Sequence, residues 1–530
     1  MRRTRRATRM TDDTTQQEAT AAPWTARLGR LFSPDVEGPG RLWPRWLFLR
    51  ALGLIFLSAF YALAFQIHGL IGERGILPAG DYLAQVDALS PGGAGRFWLA
   101  PTLLWLVGAS DRALTAIVVA GLVGAVLLTA NVWPRVAVAL CTLCFLSCVA
   151  TLQDFSSYQS DGMLLEAGFL SIFFAPRGLR PGLGAHDPPS RASLFLLQWE
   201  WFRIYFESGV VKLASGDPHW RDLTAMDHYY ENGPLPAWPG WYVQHFPHLY
   251  HAATAALTLV VELLLVWALF LPRRFRIACF VVVTALQVGI IATANYAFLN
   301  YLVLVLGVLL LDDRALERVG ASAPERPVVA RAAPWWTWSS AVALAWVFYA
   351  TVAPAVMSPA TPPLLAAPVR ALAPFRIANQ YGLFAVMTEA RYEIEFQGSR
   401  DGGRTWVAYP FRYKPQDPRE RPGIYAPYQP RFDWNLWFAS LAPWRASPWV
   451  VAAQARLLEG SPSVLALFRR DPFPGAPPTQ VRTVLWQYWF TDAATRRATG
   501  EWWHRRLLGP FTGTVARGAD GRVVLTGWPE

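Results

Sequence analysis

The sequence predicts a polytopic α-helical membrane bundle of about nine spans, followed by a small β-rich extracytoplasmic domain. Three observations predict it. First, 53% of the 530 residues are hydrophobic and the mean hydropathy is +0.22. Soluble domains hold roughly 45–50% apolar residues even with glycine included. Second, apolar stretches long enough to cross a bilayer recur up to residue 357 and then stop. Third, the chain beyond residue 358 alternates apolar and polar residues between proline- and glycine-rich turns, the period of half-buried strands.

Residues 1–45 are rich in Arg, Thr and Gln and lack an apolar core. They read as a disordered, basic, cytoplasmic tail, and the Arg2-Arg3 pair has no apolar stretch close behind it to make a signal. Spans are expected within a 46–357 membrane domain, at 46–67, 112–130, 134–152, 161–175, 192–213, 250–271, 275–294, 296–311 and 335–357. The segment 97–108 is too short to span and reads as re-entrant or interfacial.

Arginine placement orients the bundle. Arg135, the group Arg177, Arg180 and Arg191, the group Arg273, Arg274 and Arg276, and the group Arg314, Arg318, Arg326 and Arg331 follow alternate spans. The intervening loops, 153–160, 214–249 and 295–300, contain one arginine, Arg221. The N-terminus is therefore expected inside and residues 358–530 outside. The net charge of +11 comes almost wholly from arginine; the lysines are Lys212 and Lys414. Because the basic residues sit between apolar stretches, they fit membrane topology rather than nucleic-acid binding. Cys141, Cys144, Cys148 and Cys279 all lie inside apolar spans and read as packing residues. No disulfide framework is available outside.

Prolines between Pro354 and Pro374 mark a linker at 358–375, and 376–530 forms the outer domain. RYEIEFQ (391–397) and RTWVAYPFRY (404–413) read as a hairpin about the turn GSRDGG. VRTVLWQYWF (481–490) and GRVVLTGW (521–528) are further strands. DWNLWFASL (433–441) reads as a helix capped by Asp433.

Chemistry is concentrated in QWEWFRIYFESGVVKL, 198–213. Glu200, Arg203 and Glu207 at i, i+3, i+7 share an arc of roughly 60°, so Arg203 can pair with both carboxylates. An intramembrane charge costs about 2.5–3.5 kcal/mol or more unless paired. Glu166 and Glu262 lie on other spans and can face the same interior, with Arg203 one candidate partner for Glu262. The stripe reads either as a structural ion cluster or as a polar cavity. Lys212 is expected near the outer membrane face, either snorkelling to the interface or serving as a base that an arginine cannot replace.

The loop 214–249 that follows is aromatic and acidic, and is expected to floor that cavity from outside. His245, His248 and His251 recur at i, i+3, i+6 and lack the i, i+4 pairing of a zinc helix, so no metal site is expected. No nucleophile elbow, phosphate loop or other cofactor-binding pattern occurs.

WFRIYFESGVVKLASGDPHWRDLTAMDHYYENGPLP resembles the signature segment of the lipase maturation factor family. FQIHGLIGERGILPA (65–79), QDFSSYQSDGMLLEAGFLSIFFAP (153–176), NQYGLFAVMTEARYEIEFQGSRDG (379–402), YKPQDPRERPGIYAPYQPRFDWNLWFA (413–439) and LLEGSPSVLALFRRDPF (457–473) extend the resemblance over most of the chain beyond residue 45. It implies a multi-pass, chaperone-like protein that assists folding or assembly of exported lipases. Animal members reside in the endoplasmic reticulum with a lumenal C-terminal region. A bacterial member would sit in the inner membrane with that region in the periplasm. The signature positions here are Asp217, Trp220, Arg221, Asp222, His228, Tyr229, Tyr230, Glu231 and Pro234. Expected partners are membrane lipids and exported lipases.

A shorter similarity points elsewhere. YFESGVVKL is similar to the segment of the vitamin K-dependent gamma-carboxylase that carries its catalytic lysine. That likeness implies Lys212 as a base acting on a quinone, lipid or peptide substrate. The polar residues before the preceding helix, FSSYQSDG here, depart from the carboxylase pattern. A transporter-like bundle leaves the outer domain without a role.

Overall fold

The computed structural model describes residues 40–156, 158–324, 334–358, 360–518 and 522–527. Most of the expected basic tail, together with Arg326 and Arg331, lies outside the described residues. Each stretch expected to span falls on a helix: α1 (Leu42–Ile71), α2 (Asp111–Thr129), α3 (Pro134–Val149), α4 (Gln159–Phe174), α5 (Arg191–Ala214), α6 (His248–Leu263), α7 (Arg273–Thr293), α8 (Leu299–Gly307) and α9 (Pro334–Val352).

Among the described residues, five candidate membrane spans stand where about nine were expected: α1, α2, α6 with its continuation to Phe270, α7, and Trp335–Ala355. α3 and α4 have 16 residues each. At 1.5 Å per residue they reach about 24 Å, short of the roughly 30 Å hydrocarbon core. α5 is long enough at 24 residues but carries the charged stripe. α8 is a nine-residue helix extended by a 3₁₀ turn, Val308–Leu310.

Local sequence starts these helices as physical chemistry requires. Ser110 and Ser190 accept from the third amide of α2 and α5, and Pro134 occupies the first turn of α3. α1 is capped from a distance, since Asp313 accepts from the amides of Trp43 (2.8 Å) and Leu42 (3.2 Å). α1 and α2 pack backbone to backbone at Gly53, where an added Cβ would lie 2.8 Å from the Thr129 nitrogen. Small residues permit this approach.

The arginine-rich loops gather at one end of the bundle. Arg135 pairs with Asp187 at 3.1 Å, and Arg177 joins the same carboxylate at 3.0 Å. Arg45 donates to the carbonyls of Leu183 and Gly184, and Arg273 pairs with Asp312 at 2.6 Å. At the opposite end α1 meets residues 461–467: Ser461 donates to the Arg74 carbonyl at 2.7 Å, and Gly69 lies against Ser463 and Leu467.

The C-terminal part is built on a mixed-length antiparallel sheet of β1 (Arg391–Ser399), β2 (Val407–Ala408), β3 (Gln480–Phe490), β4 (Trp503–Pro510), β5 (Thr514–Arg517) and β6 (Val523–Thr526). Its order is β2-β1-β3-β5-β6, with β4 also paired to β3. β1 and β3 are the spine, in register from Arg391↔Tyr488 to Ser399↔Gln480. Helix α10 (Arg431–Ser440) packs on β1, and α11 (Trp449–Leu458) packs on β3 and β5. β1 is covered on both faces. Ile394 and Phe396 enter the apolar core, while Arg391 and Glu393 are buried opposite, where Lys414 bonds Glu393 at 2.7 Å.

Three strand and cap expectations are corrected. Of 404–413, only Val407–Ala408 pairs as a strand. Pro410 cannot donate to a ladder, and Tyr409 and Phe411 turn into the core against Phe468. β4 and β5 were not expected. Asp433 does not cap α10, which begins after Pro430; it lies in the first turn and accepts from the amides of Tyr413 and Lys414.

The proline-rich stretch is helical over Pro363–Leu372 and Ala373–Phe375. Helix Pro363–Leu372 and the turn Ala373–Phe375 lie back on α9, where Trp346 donates to the Pro368 carbonyl at 2.8 Å. One apolar core runs without a break from α1 to the sheet. Across it, Arg431 of α10 makes a two-pronged bond to Asp161 at the start of α4, at 2.7 and 2.8 Å, both side chains fully buried.

Burial raises the Asp433 carboxyl from its ordinary 3.8 to about 6, against the opposing pull of the two amides and Lys414. A carboxyl raised in the folded state contributes stability that is fully present below its unfolded value and is lost as pH rises through its folded value. We expect Asp433→Asn to flatten the thermal midpoint between about pH 4 and 6. An unchanged slope in a detergent-solubilised melt would rule Asp433 out as the titrating group.

Candidate functional site

The Glu200–Arg203–Glu207 stripe faces inward as its spacing requires, but the pairing differs from the expected one. Arg203, 1% exposed, forms its ion pair with Glu166 of α4. Its other arm donates to the carbonyl of Asn379 at 2.6 Å. Glu166 also accepts from the Asn379 amide (2.9 Å) and the Tyr381 hydroxyl (2.9 Å). Glu207 accepts from the Tyr381 amide at 2.7 Å. Glu200 is fully buried beside α4 with no side-chain hydrogen-bond partner among the described residues. Residues 379–383 thus plug the stripe. This is a packed ion cluster that ties α4, α5 and the start of the C-terminal part together.

Glu262 does not join it. Lys212 reaches Glu262 instead, its Nζ donating to both carboxylate oxygens at 2.9 and 2.8 Å. Lys212 is 2% exposed, so it does not snorkel. Its ammonium lies 5.0 Å from the centre of the Trp220 ring, a cation–π contact. The ion pair crosses from α5 to α6, and Gly209 makes room for it: an added Cβ there would sit 2.9 Å from Glu262.

The loop after α5 folds as three short helices, Pro218–Arg221, Ala225–Asn232 and Trp238–Gln244. Each expected signature residue has a definite place. Asp217 caps the first helix through the His219 amide (2.9 Å) and also accepts from the Met387 amide. Trp220 donates to the Phe384 carbonyl at 2.8 Å, and Arg221 donates to the Leu213 carbonyl at 2.5 Å. Asp222 is exposed at the end of that helix. His228 stacks near His219. Tyr229 and Tyr230 are buried against Phe384 and His251. Glu231 accepts from the Phe490 amide of β3 at 2.7 Å. Pro234 offers its carbonyl to Arg391, which also takes the carbonyls of Glu231 and Gly233. Arg391 is therefore the clasp between loop and sheet.

The three spaced histidines diverge. His245 bonds the Trp241 carbonyl, His248 bonds Asp227 at 2.9 Å, and His251 packs between Tyr230 and Tyr250. All four cysteines are free and buried in the bundle.

The Lys212–Glu262 pair lines a cavity of about 540 Å³. Tyr205 and Ser208 of α5 contribute to the same wall, and Trp220, Met226, Tyr229 and Tyr230 close it from the loop. The loop expected to floor a cavity closes one; of the expected carboxylates Glu262 lines it, while Glu166 and Glu207 sit in the plug, the ion-cluster alternative of the stripe. Asn379, Tyr381, Met387 and Arg391 were missed as partners. Their backbone and side-chain bonds reach across more than 150 residues, which no local spacing reveals.

Removing one member of a buried pair costs about 3–5 kcal/mol because the other charge is stranded. We expect Lys212→Met to lower the thermal stability of the detergent-solubilised protein by that order, and Lys212→Met/Glu262→Met to recover most of it. A loss in the double variant equal to the sum of the losses in Lys212→Met and Glu262→Met would show that the two side chains are not coupled.

Comparison with known proteins follows the same division of the chain. Residues 43–318 match the family model described as the lipase maturation factor transmembrane domain. Residues 377–513 match the lipase maturation factor C-terminal domain. Lipase maturation factor 1 of Bos taurus is 32% identical over 535 residues, covering 92% of this chain and 92% of its own. Lipase maturation factor 2 of Homo sapiens is 31% identical over 597 residues, covering 90% of this chain and 83% of its own. No solved structure matches the chain. With five helices among the described residues long and apolar enough to cross a membrane, these matches make it a multi-pass membrane protein, and the chain belongs to the lipase maturation factor family.

Proposed function

We propose that this chain is a membrane-embedded maturation factor that assists folding or assembly of exported lipases. The observation that carries the reading is that both parts of the chain match relatives named for lipase maturation, over nine-tenths of its length. The outer loop supports it. That loop is one of the pieces through which bundle and sheet hold one another, so a client engaging either part acts on a jointed surface. Arg391, Glu231 and Asp217 are the residues we assign to keeping that surface assembled.

In the finer reading, about nine segments cross or enter the membrane, with the shorter α3, α4 and α8 packed inside the bundle. Arginine-rich loops gathered at one end favour that end as cytoplasmic. The sheet then faces the periplasm of a bacterial inner membrane. Partners are membrane lipids and exported lipases. The family match does not favour the enzyme alternative, and Lys212, whose ammonium donates to both oxygens of Glu262, serves the fold as a buried ion-pair partner.

Deleting the gene tests the role. We expect secreted lipase activity to fall while lipase transcript and precursor levels hold, and the intact chain to restore it. Arg391→Ala should restore less, although it inserts in the membrane at a normal level. If every exported lipase of the host kept full activity in the deletion strain, the maturation reading would fail.

A further inference from the structure

α6 and α7 are consecutive in the chain, joined by the 3₁₀ turn Leu265–Phe270. They do not pack along their lengths. The turn holds them together at one end. At the other, helix Ala225–Asn232 lies on α6 and helix Trp238–Gln244 lies on α7. Between these ties the two helices stand apart, and the 540 Å³ cavity opens through the gap. Its rim includes Leu257 of α6 and Val281 and Val282 of α7, all exposed and apolar. α7 is the most exposed of the five candidate spans. The mouth therefore faces the hydrocarbon of the bilayer and not water.

The inner wall has the opposite character. Lys212 spends two N–H donors on Glu262 and has a third to give. The Tyr205 hydroxyl accepts from Gln287 at 2.8 Å, which leaves its own hydrogen to donate, and Gln287 is fixed in turn by Asn300 at 2.7 Å. The ion pair is neutral as a unit, so the wall offers donors without net charge. It complements an uncharged acceptor on an apolar chain. A carbonyl of an acyl ester has that chemistry, and the volume lies within the roughly 300–1,000 Å³ of small-molecule sites.

We propose that this cavity is a lateral binding groove for an acyl lipid. The chain enters between α6 and α7 along Val281, Ala285 and Gly289, and the ester carbonyl lies beside Lys212 and Tyr205. The assignment does not depend on the maturation role. Gly289 is left without a side chain where the groove needs room: a Cβ there would meet nothing within 4 Å.

The test uses the full chain in phosphatidylcholine nanodiscs doped with phosphatidylcholine carrying a diazirine in mid-chain. We expect cross-links to concentrate on residues 254–262 and 281–293 over the exposed face of α2 around Val119 and Val123. Gly289→Phe, which fills open space, should reduce them about tenfold, whereas Val123→Phe should leave them unchanged. A diether analogue of equal chain length should label the groove less than the ester. Even labelling of α2 and α7, or groove labelling untouched by Gly289→Phe, would overturn the proposal. Equal labelling by ether and ester would overturn the placement of the carbonyl. Circular dichroism and elution volume of Gly289→Phe separate a filled groove from a misfolded one, and Gly289→Leu, a smaller plug, should reduce the cross-links by less.

Discussion

A guanidinium in the middle of a helical bundle dictates what must surround it. Arg203 cannot shed its proton, so the chain has to bring it a carboxylate and enough acceptors to replace water. Glu166 supplies the charge from α4, and the backbone at Asn379 supplies a further acceptor. That second demand draws the first residues of the C-terminal part into the bundle. Tyr381 follows, bonded through its amide to Glu207 and through its hydroxyl to Glu166. Once this plug is seated, β1 must start within reach of the outer loop, and Arg391 closes on the loop carbonyls. The arrangement of bundle and sheet follows from one cation that needs partners.

The same accounting explains Asp161 and Arg431, a second buried pair linking the start of α4 to α10. Two such bonds, both anchored on α4, leave little freedom between the parts. They do not show large net stabilisation, because desolvation offsets much of the attraction. They do fix register, since a shift of either element would strand a charge.

Much of the bundle was legible because hydropathy reports burial in lipid directly. Apolar runs located α1 to α9, and arginine counts anticipated which loops share an end. The i, i+3, i+7 spacing placed Glu200, Arg203 and Glu207 on one inward face. Local spacing could not name the partners, because a helix face limits what a side chain points toward and not what arrives there. Glu262 lies 50 residues from Lys212, and Asp313 caps a helix that begins about 270 residues earlier. The outer domain was less legible. β1 and β3 alternate or run apolar, but WHRRLLGP (503–510) carries arginines that stack on tryptophans of its neighbour, Arg505 on Trp486 and Arg506 on Trp489. A strand held by such contacts has no alternating apolar face to recognise.

The two lysines stand apart from the arginines in one respect. Lys212 and Lys414 are 2% and 5% exposed, and each lies against a glutamate. A compact ammonium fits such a tight pocket beside one carboxylate. In the folded protein no lysine amine is therefore open to reagents. Acylating probes, amine-directed cross-linkers and lysine-specific proteases find these side chains only when the bundle or the sheet opens. Lysine side-chain chemistry on this protein reads out unfolding, with Lys212 marking the membrane part and Lys414 the sheet.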